Sequence, residues 1–83
     1  FLVLPFISFS QLNKGKVVDL NGNPISEVTV TSGNQLVNTS IDGTFSIKAA
    51  IGDKITFSKL NFETVSTKVS KDIMVQLIEN NIY

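Results

Sequence analysis

Two-residue alternation of apolar and polar side chains, cut at short intervals by turn-forming pairs, is the feature that most limits what this chain can become. Val28 and Val30 alternate with Thr29 and Thr31, and Phe45 and Ile47 with Thr44, Ser46 and Lys48. Ile55 and Phe57 repeat the pattern, as do Val65, Thr67 and Val69, and then Ile73, Val75 and Leu77. The cuts fall at Asn21-Gly22, Gly33-Asn34, Asp42-Gly43 and Gly52-Asp53. Such pairs supply the positive φ angles that tight turns between strands require. Strands are therefore expected at 16–20, 27–32, 35–40, 44–49, 54–59, 62–69 and 73–78. The one helix-leaning window, KAAIGDK, is cut by Gly52. A single sheet would leave its apolar row in water, whereas two facing sheets bury both rows between them. The expected fold is all-β: a β-sandwich of about seven antiparallel strands. Val17, Ile25, Val28, Val30, Phe45, Ile47, Ile55, Phe57, Phe62, Val65, Val75 and Leu77 are its expected core. The edges are expected at 35–40 and 68–71.

The residue inventory argues against catalysis. The 83 residues contain no histidine and no cysteine, and all seven cations are lysines. The commonest general base, the thiolate nucleophile and the disulfide staple are all missing. The serines have no histidine to activate them. Ser58 and Lys59, adjacent on a strand, point to opposite faces. Seven lysines balance seven acids and are scattered singly, so there is no basic footprint for nucleic acid. The acids are dispersed too. Asp42 and Asp53 could converge at one end of a sandwich, but as turn-capping residues they have a simpler use. A lysine–asparagine crosslink between the first and last strands would draw on Lys16 and Asn80. No cofactor or metal is expected. Phe45, Phe57 and Phe62 read as core rather than as a stacking platform.

The opening FLVLPFISFS is apolar and uncharged, and QLNKGK after it is polar and basic. Ten residues are too few to cross a bilayer as a helix, which takes about 20. The segment fits the end of a secretory signal, with small residues at Ser8 and Ser10 and a cut before Gln11. The other reading is an N-terminal strand packed on the core. Residues 1–10 are thus expected to be a signal remnant, 11–79 the sandwich, and 80–83 the start of a linker or tail.

The turn residues also form an ordered set. Gly15, Val17 and Asp19 are followed by Gly22, Pro24 and Ile25, then by Thr39, Asp42, Gly43 and Phe45, then by Gly52, Asp53, Phe57 and Phe62. This order resembles the carboxypeptidase regulatory-like domain, a transthyretin-like sandwich of Greek-key type. Ser40 stands where that family usually has an acid, and Asn61 where it usually has glycine. Asparagine tolerates the left-handed conformation, so Asn61 is a mild departure. The resemblance implies a non-catalytic accessory or interaction module, exported to the periplasm, outer membrane or medium. Such domains often follow the signal peptide of TonB-dependent outer-membrane transporters. A stand-alone secreted binding or adhesion domain is the alternative, as is a folding or positioning unit for an attached peptidase. The expected partner is a protein or a downstream domain, with no nucleic acid and no membrane insertion.

Overall fold

The computed structural model describes residues 11–80. Seven strands follow one another: β1 (Gln11–Val18), β2 (Thr29–Ser32), β3 (Gln35–Asn38), β4 (Thr44–Ala49), β5 (Lys54–Ser58), β6 (Val65–Lys68) and β7 (Asp72–Gln76). They form two sheets, one ordered β4-β1-β7 and the other β3-β2-β5-β6. The β-sandwich expected from the alternation is present. The expected signal remnant, residues 1–10, lies outside the described residues, as do residues 81–83 of the tail.

The apolar rows meet between the sheets. Phe45, Ile47 and Ala49 alternate inward on β4, Ile55 and Phe57 on β5, and Ile73 and Val75 on β7. Val17, Val28, Val30, Ile55, Phe57 and Leu77 are wholly excluded from solvent. The Phe45 and Phe57 rings meet edge to face across the core, with centroids 5.5 Å apart and planes at 67°. This arrangement suits the opposed charge of ring face and ring edge. Ala49, Val69 and Ile73 complete the cluster beyond the expected members. Phe62 and Val65, expected inside it, are only partly buried and pack against its margin. Both lie at or before the start of the short edge strand β6, where one side has no neighbouring strand to cover it.

Two differences from the expected strands matter. Strand β1 begins at Gln11, five residues earlier than the alternation indicates. Its inward row is Asn13, Gly15 and Val17, which is not apolar throughout, so no hydrophobic period marks it. Asn13 is nevertheless buried, and its Nδ2 donates to the Ala49 carbonyl at 2.7 Å. Gly15 leaves a gap that the ring of its register partner Phe45 fills. The second difference is direction. Strands β1 and β7 pair in parallel, from Lys14↔Asp72 to Val18↔Gln76, while the other ladders are antiparallel. Strands β3, β6, β4 and β7 are the edges. The first matches the edge expected at 35–40. Lys68 closes the second, while Ser70 and Lys71 lie in the connection that follows it.

Because β1 and β7 run the same way, the chain enters and leaves at opposite ends. Gln11 and the turns at Gly33-Asn34 and Gly52-Asp53 mark the entry pole. Residues 19–27, 39–43, 59–63 and 77–80 make up the exit pole, tied there by bonds such as Val17 N–H to the Gly43 carbonyl at 2.9 Å and Leu77 N–H to the Val18 carbonyl at 2.9 Å.

A Cβ at Gly15 would stand 2.5 Å from Phe45 Cζ and 2.6 Å from the Ile73 carbonyl oxygen. Gly15→Ala is expected to destabilise the domain by about 1–3 kcal/mol, the usual cost of overpacking a core. Urea denaturation should show a lower midpoint with an unchanged slope.

Candidate functional site

The exit pole gathers most of the residues that the sequence singles out. Asp19 organises its first loop. Its Oδ1 accepts the backbone N–H groups of Asn21 at 2.8 Å and Asn23 at 2.9 Å. The loop closes with Gly22 N–H on the Asp19 carbonyl at 3.1 Å and Asp19 N–H on the Asn23 carbonyl at 2.9 Å. Gly22 takes φ 84°, as the Asn-Gly pair requires. The Asn23 N–H in particular, with the other donors of the loop, holds the Asp19 carboxyl below its ordinary value. Pro24 bridges back to Val18, and Ile25 drops into the core with its N–H on the Val17 carbonyl at 3.0 Å.

The second loop is a knot of hydroxyls around Asp42. Ser40 Oγ and Thr44 Oγ1 both donate to Asp42 Oδ1, the latter at 2.6 Å, and Thr44 N–H adds a third bond at 3.2 Å. Ser40, where the resembled family carries an acid, thus keeps the turn closed as a donor. The Ser40 hydroxyl first, then the Thr44 hydroxyl and N–H, bring the Asp42 carboxyl down from 3.8 to about 2. Gly43 follows at φ 79°, against the Val17 carbonyl and Pro24; a Cβ there would lie 2.6 Å from that oxygen.

Thr39 joins the two loops. It is buried; its Oγ1 donates to the Ile25 carbonyl at 2.7 Å and accepts Val28 N–H at 2.9 Å. This bond to Val28 lies next to Glu27, which adopts φ 58°. The third loop turns at Asn61, whose φ of 73° is the left-handed conformation expected of it. Phe62 forms a bridge with Glu79, and Asn80 N–H donates to the Asn61 carbonyl at 2.7 Å. Lys59 Nζ donates to the Ser26 carbonyl at 2.8 Å, which commits it to structure.

Several groupings considered from sequence are not assembled. Asp42 and Asp53 lie at opposite poles, and Asp53 accepts Ala50 N–H at 3.1 Å within its own turn beside Gly52. Each caps the turn it belongs to. Lys16 stands opposite Met74 in the β1–β7 register, six residues short of Asn80 along the chain, so the crosslink pair is apart. Phe45 and Phe57 are core side chains.

The exit pole carries a feature that alternation did not disclose. Leu20, Ile41, Leu60 and Ile78 are exposed at the tips of its four segments, Ile41 and Leu60 by 89% and 84%. Three of them stand directly before a turn residue or pair, in Leu20-Asn21-Gly22, Ile41-Asp42-Gly43 and Leu60-Asn61. An aliphatic residue just ahead of a turn pair, outside the strand period, was the available signal. Leu20 and Ile78 flank a cleft of about 240 Å³ with Asp19, Asn21, Leu77 and Glu79. That is below the roughly 300–1,000 Å³ of pockets that enclose small molecules. The four aliphatic side chains thus stand exposed over turns closed by hydrogen bonds of their own.

No family model matches the chain. It is similar to Structural protein 27 of a virus (isolate Australia/Victoria), with 37% identity over 65 residues. The matched segment is 77% of this chain and spans 13% of the length of that viral protein.

Two outcomes follow from the turn geometry. Thr39→Val removes one buried donor and one acceptor together and should cost about 1–3 kcal/mol in urea denaturation, with Thr39→Ser restoring much of the loss. Folding holds the Asp42 carboxyl down, so its contribution is complete above about pH 3.8 and is lost as pH falls through about 2. The stability difference between wild type and Asp42→Asn should therefore shrink across that window in pH-dependent thermal melts.

Proposed function

We propose that this chain is a non-catalytic β-sandwich module that works as a structural or interaction element within a longer exported protein, in a cell envelope or a virus particle. One observation carries the reading: the ends of the sandwich lie at opposite poles, so the module fits in series within a longer polypeptide. The 65-residue similarity to a small part of a viral structural protein supports it. The exit-pole carboxylates Asp19 and Asp42 are engaged within their own turns, and aliphatic side chains stand exposed beside them on that surface. Leu20, Ile41, Leu60 and Ile78 then offer that surface to a neighbouring part of the same assembly.

A more specific setting is the periplasmic head of a TonB-dependent transporter. The apolar opening segment followed by the carboxypeptidase regulatory-like turn pattern favours it. In that setting the coding frame beyond Tyr83 would carry alternating strands of about ten residues, as a membrane barrel requires.

An antibody against the chain tests the general reading. Fractionation of the source cells or particles should place the protein in the envelope or particle fraction, resistant to a salt wash. Recovery in the soluble cytosolic fraction alone would overturn it.

A further inference from the structure

We propose that the β1–β7 pair is a mechanical clamp: tension applied along the polypeptide through the two ends of the sandwich is met by a ladder loaded in shear. The proposal rests on the reading of the chain as a module in series within a longer structural protein.

The geometry is set by register. Strands β1 and β7 are parallel neighbours from Lys14↔Asp72 to Val18↔Gln76. Tension draws β1 out through its Gln11 end and β7 out through its Gln76 end, at opposite poles. The two strands must slide along each other, and bonds lying across the direction of pull share the load. Their rupture is collective. In a pair pulled from adjacent ends, the same bonds fail one after another.

The strand that takes the load is anchored on both sides. Strand β1 is the centre of its sheet, with β4 paired from Gln11↔Ala49 to Lys16↔Thr44 on the side away from β7. Asn13 Nδ2 holds the Ala49 carbonyl at 2.7 Å, within the buried face. The Phe45 ring occupies the gap above Gly15, so β1 cannot slide without displacing it. On β7, Ile73 and Val75 are buried between the sheets, and Leu77 N–H extends the ladder to the Val18 carbonyl at 2.9 Å. Beyond it, Glu63 N–H on the Ile78 carbonyl at 2.9 Å and Asn80 N–H on the Asn61 carbonyl at 2.7 Å form a short outer latch. That latch would release first and leave the clamp engaged.

Single-molecule pulling on the full chain, set between marker domains, tests this. The chain has no cysteine, so attachment points can be placed at will. Pulled through its two ends, the domain should unfold at a force at least about twofold higher than when pulled through Leu12→Cys and Lys71→Cys, because forced rupture reads the unfolding barrier. Those two positions lie at the same pole, at the lower ends of β1 and β7, and would peel the pair apart. Equal forces in the two geometries would overturn the clamp. A second comparison needs only end-to-end pulling. Val75→Ala, under the clamp, should lower the force, while Thr39→Val, away from it, should lower equilibrium stability and leave the force near that of wild type. Loss of force in proportion to equilibrium stability for both variants would overturn the proposal. Cell or particle fractionation is read separately, so failure of the structural-module reading is distinguishable from failure of the clamp.

Discussion

The sandwich depends on what the inner face of β1 leaves empty. Asn13, Gly15 and Val17 form that face, and only Val17 is a conventional core residue. The missing side chain at Gly15 admits the Phe45 ring, which in turn meets Phe57 from the other sheet. Asn13 would be a costly buried amide, but its bond to the Ala49 carbonyl ties it to β4. A strand with so little apolar surface of its own is thus held by its neighbours. It pairs on both edges and is covered at Gly15 by the Phe45 ring. A domain of this size has a thin stability margin, and placing its most heavily paired strand at the centre uses the available bonds well.

The exit pole is built on a different plan. Its two loop aspartates bond within the turns that carry them. Asp19 and Asp42 each collect several donors from their own loops, and Thr39 bonds two segments from a buried position. The donors favour the charged form and hold both carboxyls below their ordinary value. Among their exposed polar residues, such as Asn21, Glu63 and Glu79, the turns also present the aliphatic side chains of Leu20, Ile41, Leu60 and Ile78.

Much of the sandwich is legible in the sequence because its period is physical. Where one face of a strand is buried, the two-residue repeat must appear, and it marks β4, β5 and β7 almost to the residue. The turn at Asn61 is legible for a similar reason: few residues tolerate its left-handed φ. The start of β1 is not, since an inward Asn13 and Gly15 erase the period that marks a strand. Phe62 and Val65 mislead in the opposite sense. They are apolar, yet they sit where an edge strand begins and cover is incomplete. In the candidate site, the turn-closing roles of Asp19, Asp42 and Gly43 are visible from residue type. Thr39 enters only as part of the family pattern, with no sign of its two buried bonds. The exposed tips Leu20, Ile41, Leu60 and Ile78 escape the pattern because each lies outside the strand period.

By itself, the sequence determined the class of fold and the turns, because alternation and positive φ are local demands that each residue either meets or fails. It also determined what chemistry was at hand, since a side chain that is not encoded cannot be supplied by folding. Tertiary structure decided the partners. Whether β1 lies beside β7, and in which direction, depends on contacts between segments some 60 residues apart, which no local pattern records. That one pairing sets the ends of the sandwich at opposite poles and fixes the path that tension takes through the molecule.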